Sequence, residues 1–305
     1  MGFGGRRRVA GSPTSSSGGA NVKKNLVLLT AAVASVIGVA RLVHAEPVDE
    51  RLIIDDKEII TRAPAPEGYP FKEVLSGWLF REAETRATEA DSFANPGMLA
   101  VERGEALWNK IEGSAGKSCA SCHNEAAVSM KDIGAHYPKW DAEAKKPIDI
   151  EMQIDRCRVQ NMGAEAYKAD SGDQVDLTTY VKYQSLGTPV KLDLGQGEMQ
   201  SWWDKGKTLY YTRTGQLNLS CASCHEVNMD KMIRADHLSQ GQVNGFPTYR
   251  FQTGGMVSVM NRFRGCIRDT RAEMPKAFSD DLLALELYVT WRGSGLSVES
   301  PAVRQ

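Results

Sequence analysis

The pentapeptide Cys-Ala-Ser-Cys-His occurs twice, at Cys119-Ala120-Ser121-Cys122-His123 and at Cys221-Ala222-Ser223-Cys224-His225. Cys-x-x-Cys-His is the pattern that attaches c-type haem. The two thiols add across the vinyl groups of one porphyrin, and the adjoining imidazole falls beneath the iron as proximal ligand. Two identical copies point to two covalently bound haem c groups and to redox chemistry, and set aside a zinc half-site. Two cysteines remain. Cys157 lies 34 residues after His123, and Cys266 lies 41 residues after His225. Three readings are open for them. Each could be the distal thiolate ligand of its own iron. The two could pair as a disulfide, which an oxidising compartment permits. Or Met162 and Met274, 39 and 49 residues after the histidines, ligate the irons and the cysteines stand by.

The surroundings of Cys266 favour chemistry there. From Arg250 to Arg271 the chain carries Arg250, Arg262, Arg264, Arg268 and Arg271 against the single acid Asp269, whereas Asp155, Arg156 and Arg158 nearly balance around Cys157. A cationic pocket favours the thiolate, which is both nucleophile and metal ligand. Guanidinium forks also bind small oxyanions through paired hydrogen bonds. The plainer role for these arginines is to neutralise haem propionates.

The elements that must position these groups repeat. The haem motifs are offset by 102 residues, with Gly104 and Gly206 each 15 residues ahead of its first cysteine. Cys157 precedes Tyr180-Val181 by 23 residues and Cys266 precedes Tyr288-Val289 by 22. A fixed order of helix, haem motif, lone cysteine and helix therefore occurs twice, the mark of duplicated domains. Asn95-Pro96-Gly97 predicts an N-cap opening a helix towards Trp108. Ser171 and Gln174 have capping-box spacing ahead of Val175. Ser279-Asp280-Asp281 starts a last helix that Gly293 ends. No run of alternating β-branched residues announces a sheet. Trp202 and Trp203 read as packing, and His136 and His237 as surface or propionate-contacting residues.

Residues 1–45 contain Arg6, Arg7, Arg8, Lys23, Lys24 and Arg41 and no acid, followed by an apolar run from Leu26 and the small-residue end Val43-His44-Ala45. This predicts a cleavable signal peptide and a periplasmic protein without stable membrane insertion, since the run is short for a transmembrane helix. Cleavage leaves 31 Lys+Arg against 38 Asp+Glu, a net charge of −7, which excludes a nucleic-acid binder. The prediction is a mainly α chain of two tandem cytochrome c-type domains related by internal duplication, each around a covalent haem c. Its boundaries are residues 1–45 for the signal peptide, 46–75 for an N-terminal arm, 76–188 for domain 1 and 189–305 for domain 2.

Several stretches carry a family resemblance: Glu84-Thr85-Arg86-Ala87, Asn95-Pro96-Gly97-Met98, Gly104-Glu105-Ala106-Leu107-Trp108, Arg156-Cys157-Arg158, Gly245-Phe246-Pro247-Thr248-Tyr249-Arg250, and Arg262-Phe263-Arg264-Gly265-Cys266. In this the chain resembles SoxA, the dihaem subunit of the SoxAX cytochromes of bacterial thiosulfate oxidation. The resemblance implies His123 with Cys157 and His225 with Cys266 as axial ligands. It implies Cys266 as the catalytic cysteine of an L-cysteine S-thiosulfotransferase and Arg262 as the substrate-binding arginine. It also implies thiosulfate as substrate, the monohaem cytochrome SoxX as partner in a heterodimer, and SoxYZ as the protein carrier. The competing functions are a thiosulfate dehydrogenase that forms tetrathionate without a carrier, and a passive dihaem electron carrier.

Overall fold

The structure, a computed structural model, describes residues 51–195 and 197–305. The signal-peptide expectation for residues 1–45 lies outside the described residues. Two antiparallel strand pairs come first, β1 (Leu52–Ile54) with β2 (Lys57–Ile59) and β3 (Arg62–Pro64) with β4 (Glu73–Leu75). Asp55 and Asp56 both take positive φ, the geometry of a two-residue hairpin turn. These pairs bury Leu52, Ile54, Ile59, Ala63 and Val74. A segment read from sequence as an arm is thus folded against the rest: Ser297 accepts from Ile60 N at 3.0 Å, and Tyr69 OH donates to Gln240 Oε1 at 2.8 Å.

Helices follow: α1 (Ala83–Ala90), α2 (Met98–Asn109), the one-turn α3 (Ala120–His123), α4 (Ala126–Ser129), α5 (Ile150–Cys157) and α6 (Gly172–Tyr183). The small pair β5 (Lys139–Asp141) and β6 (Lys146–Ile148) precedes α5, and a π-helical turn, Arg158–Met162, continues it. Then come α7 (Glu198–Tyr211), α8 (Cys221–His225), the pair β7 (Met232–Ile233) and β8 (Asp236–His237), β9 (Thr248–Arg250), β10 (Gly255–Val257), α9 (Val259–Asp269), α10 (Asp280–Arg292) and β11 (Ala302–Arg304). Strand β9 pairs antiparallel with β10 and parallel with β11. The strands are two or three residues long, too short for any alternation to show in the sequence.

Two helix crossings organise the core. Helix α2 packs on α6 around Val101, Trp108, Leu177, Tyr180 and Val181. Helix α7 packs on α10 around Tyr210, Leu282, Leu283, Tyr288 and Val289. A glycine lets each pair close. A Cβ on Gly104 would meet the Asp176 carbonyl and come within 2.5 Å of Tyr180 Cβ, and one on Gly206 would strike the Ala284 carbonyl and lie 2.8 Å from Tyr288 Cβ. Helices α6 and α10 are buried all round from Gln174 to Val181 and from Leu282 to Thr290, so neither shows an amphipathic stripe.

The caps differ in detail from the sequence reading. Gly97, not Asn95, precedes the first residue of α2. Asn95 Oδ1 accepts from Gly97 N at 2.8 Å and its Nδ2 donates to the Pro301 carbonyl at 2.8 Å, which pins the turn to the C-terminal segment. Ser171 accepts from Gln174 N, but the Gln174 side chain bonds Asp170 N and Asp155 instead of completing the box. Ser279 stands at the N-cap of α10, with Asp280 and Asp281 in the first turn, without a side-chain cap bond.

Candidate haem and sulfur-transfer sites

Each haem motif is a single helical turn, α3 or α8, held from below by a serine pair. Ser118 N donates to Ser121 Oγ and Ser220 N donates to Ser223 Oγ, both at 3.0 Å. The loop before each motif is closed in the same way, by a bridge between Glu112 and Lys117 in one and between Thr214 and Leu219 in the other. Each loop then hydrogen-bonds to the segment just past a lone cysteine. Ala115 N donates to the Met162 carbonyl at 3.0 Å, and Leu217 N to the Thr270 carbonyl at 3.1 Å. So the two loop–cysteine arrangements are built alike.

The residues fit the group their pattern implies. His225 Nδ1 lies 2.9 Å from the Ser239 carbonyl, which can only accept, so Nδ1 carries the proton and Nε2 keeps its lone pair for a metal. Gly241, at φ +78°, lays its backbone against the imidazole, where a Cβ would sit 2.7 Å from the ring. Burial, with Arg262 and Arg292 near, pulls His225 down to about 4, so the ring is neutral, the form that ligates. In the first motif Trp108 places its ring 5.8 Å from His123 and donates to the Asn124 carbonyl at 3.0 Å. Burial pushes the Cys119 thiol up to about 11 and Cys221 to about 12.

Cys157 acts electrostatically on Cys119, and Cys266 on both Cys221 and Cys224, so the structure brings each lone cysteine to its own motif. All six cysteines are unpaired, and no Cys157–Cys266 disulfide forms. Met162 is buried beyond the π-helical turn, and Met274 is 44 % exposed. Gln153 Nε2 donates to Cys157 Sγ at 3.4 Å, a contact that one helical turn of spacing could have suggested.

The arginines sort themselves by helical geometry. Arg262 is one turn before Cys266 on α9 and so shares its face. Arg262 also acts on Cys224, His225 and Arg250, and Arg250 in turn feels Cys266. Arg264 and Arg268, two positions either side of Cys266, face away. Arg264 pairs with Asp170 at 3.1 Å and Arg268 with Asp269 at 3.0 Å. Arg264 and Arg268 thus drop out of the cluster expected from sequence, and Arg250 and Arg262 act at the cysteine. Sequence reading missed two further members. Arg81 donates to Asp236 at 2.6 Å and to the His237 carbonyl, and Asp236 also holds Arg250 at 3.5 Å. Burial alone would raise Asp236, but Arg81, Arg250 and Arg262 outweigh it and hold the carboxyl below its ordinary range. Arg262 has no carboxylate partner among the described residues. At Cys157 the reverse holds: Arg156 pairs with Asp141, and Arg158 with Glu112 at 2.5 Å. His136 bonds the Lys191 carbonyl and His237 bonds Asp230, both at the surface. No helix among the described residues is long and apolar enough to cross a membrane.

Residues 103–190 match a family model described as the cytochrome c domain of SoxA/TsdA. The L-cysteine S-thiosulfotransferase subunit SoxA of Pseudaminobacter salicylatoxidans is 77 % identical over 262 residues, 86 % of this chain and 92 % of that protein. The protein of the same name from Rhodovulum sulfidophilum is 47 % identical over 264 residues, again 86 % and 92 % of the two chains. The crystal structure of SoxXA from P. pantotrophus superposes with a TM-score of 0.81 at 46 % identity, over 85 % of this chain and all of that one. A helical cytochrome c domain, paired cysteine–haem-motif sites and identities of this size over most of the length place the chain in the SoxA family of L-cysteine S-thiosulfotransferase subunits.

Proposed function

We propose that the chain is a dihaem, duplicated member of its family that joins thiosulfate to a carrier cysteine through Cys266. Cys119 and Cys122 would hold one haem c and Cys221 and Cys224 the other, with His123 and Cys157, and His225 and Cys266, as the side chains offered to the irons. The 102-residue repeat of glycine crossing, closed loop and serine-pinned motif supports the duplication. When bound, the haems supply the electron acceptors of the reaction.

The observation that carries this reading is the pairing on α9. Arg262 is one turn from Cys266 and makes no ion pair with a carboxylate among the described residues, while Arg156 and Arg158 beside Cys157 are both tied down. Arg262 and Arg250 hold the thiosulfate dianion, and Asp236 with Arg81 fixes Arg250. The Cys266 thiolate then bonds the terminal sulfur of thiosulfate. This forms a cysteine S-thiosulfonate and releases two electrons, which bound haem would relay one at a time, by way of the SoxX partner, to an external electron acceptor. The thiolate of the SoxYZ carrier attacks the sulfur next to Cys266. The new disulfide carries the sulfonate to the carrier and Cys266 leaves as thiolate, so atoms and charge balance. The SoxXA likeness supports the SoxX partner, and the family name supports thiosulfate and an acceptor cysteine. The cationic n-region and apolar run of residues 1–45 support export to the periplasm.

Peptide mass spectrometry of the haem-loaded protein before and after thiosulfate tests the reading. A sulfur or thiosulfonate adduct on Cys266, with Cys157 unmodified, is expected. A Cys266 indifferent to thiosulfate overturns it.

A further inference from the structure

Between the two helix crossings lies a cavity of about 20 Å³ whose walls include Tyr137, Glu151, Lys182, Glu286 and Thr290. Glu151 comes from the first turn of α5, Lys182 from α6, and Glu286 and Thr290 from α10. Glu151 is 8 % exposed, Glu286 9 %, and Asp149, the N-cap of α5, 1 %. Oε2 of Glu286 and Oδ2 of Asp149 are buried without a hydrogen-bond partner. Buried polar atoms in native proteins are nearly always satisfied, and a polar cavity of this size has room for one water molecule.

The charges do not balance. Three buried carboxyls, Asp149, Glu151 and Glu286, face one ammonium, Lys182, which reaches Glu151 and Glu286 electrostatically without a direct ion pair. Asp155 and Asp170 lie beyond and add negative charge against Asp149 and Glu151. Two uncompensated charges in a dry interior cost far more than protonating a carboxyl. A neutral carboxyl is also a donor, so it can both donate to and accept from a water in the cavity.

We propose that this cavity is an internal water site in which one water bridges Glu286, Glu151 and Lys182, and that Glu286, whose Oε2 has no other partner, is the carboxyl the site keeps protonated at neutral pH. The site stands apart from Cys266 and does not rest on the sulfur-transfer reading. The test is infrared spectroscopy of the haem-loaded full-length protein at neutral pH, in water and in deuterium oxide. The expected wild-type spectrum contains a protonated-carboxyl C=O band that shifts on deuteration. Glu286→Gln, which keeps the shape, is expected to remove the part of that band due to Glu286 and leave the part due to the buried Glu89, and Lys182→Met to strengthen the band by removing the one cation. Haem absorbance reports that each variant is folded, and the Gln variant alone suffices if the Met variant is not. A wild-type spectrum without the band, or a band unchanged in Glu286→Gln, overturns the protonation. High-resolution diffraction that shows a dry cavity overturns the water.

Discussion

Arg156 and Arg158 flank Cys157, and Arg262 stands one turn before Cys266, yet their engagements are opposite. Asp141 and Glu112 neutralise the first pair, while Thr214 stands 102 residues on from Glu112 and offers no carboxylate to the second site. On the proposed reading the dianion binds beside Cys266, and the residue that decides it is Arg262. Arg262→Lys keeps the charge but loses the fork, and Arg262→Ala loses both. The expected order is a rise in the KM for thiosulfate in the lysine variant and a larger rise in the alanine variant, read by steady-state kinetics; equal values for both would remove the fork from the argument. Cys266→Ser is expected to abolish turnover, whereas Cys157→Ser leaves the Cys266 adduct in place. Asp236 works through others. Asp236→Asn leaves Arg81 and Arg250 without their anion, which is expected to cost on the order of 2 kcal/mol, less than a fully buried pair because Asp236 is 29 % exposed. Because its carboxyl is depressed on folding, that stability is present above the ordinary carboxylate pKa, about 3.9, and fades as pH falls through the lower folded value. The gap between wild type and variant in urea midpoint should be constant near neutrality and close in acid. A gap that widened in acid would contradict the sign.

At the scale of elements, what the sequence showed was what recurs. The haem motifs, the glycine fifteen residues before each, and the aromatic residue that receives it on the partner helix were all legible, because exact spacing survives without any knowledge of packing. The strand pairs were not, because two or three residues carry no period. The arginine cluster was only half legible: composition reveals charge, but only helical phase tells which side chains share a face with Cys266. Arg81 and Asp236 were invisible, since 155 residues separate a pair that the fold brings to 2.6 Å. The glycine crossings give the sharpest element-level expectation. Gly206→Ala would drive a methyl into the Ala284 carbonyl and against Tyr288, so α7 and α10 must move apart. Overpacking of this kind costs about 1–3 kcal/mol. Denaturant unfolding of Gly206→Ala is expected to show that loss, together with a changed haem spectrum for the second motif, which α7 helps to seat. Gly265→Ala, whose Cβ would meet only the end of the Arg268 side chain at 3.9 Å, is the control and should be near neutral. A Gly206→Ala protein as stable as wild type would mean that this crossing does not hold α7 in place.

Across the whole molecule the ends of the described chain are locked together. Arg304 on β11 pairs with Glu89 of α1 and with Glu299, and both carboxylates are fully buried. Ser76 donates to Glu299, and Val303 N donates to Glu89 at 2.7 Å. The C-terminal strand thereby closes on the segment ahead of the first helix crossing, so the early and late parts of the chain should unfold in one transition. Burial pushes Glu89 up to about 8, against the pull of Arg304 and with the push of Glu299. A carboxyl raised on folding binds its proton more tightly in the native state. Its contribution to stability is therefore complete below the ordinary value, about 4.3, and is lost as pH rises towards 8. Glu89→Gln is expected to remove that decline. Arg304→Met does the opposite: it leaves two buried carboxyls with no cation, a loss of about 3–5 kcal/mol at neutral pH. Urea unfolding followed by far-ultraviolet circular dichroism and by haem absorbance would read both effects. Coincident curves are expected, with a clear deficit in Arg304→Met. Two separate transitions in the wild-type protein would instead mean that the halves unfold independently and that the Arg304 lock closes only its own end.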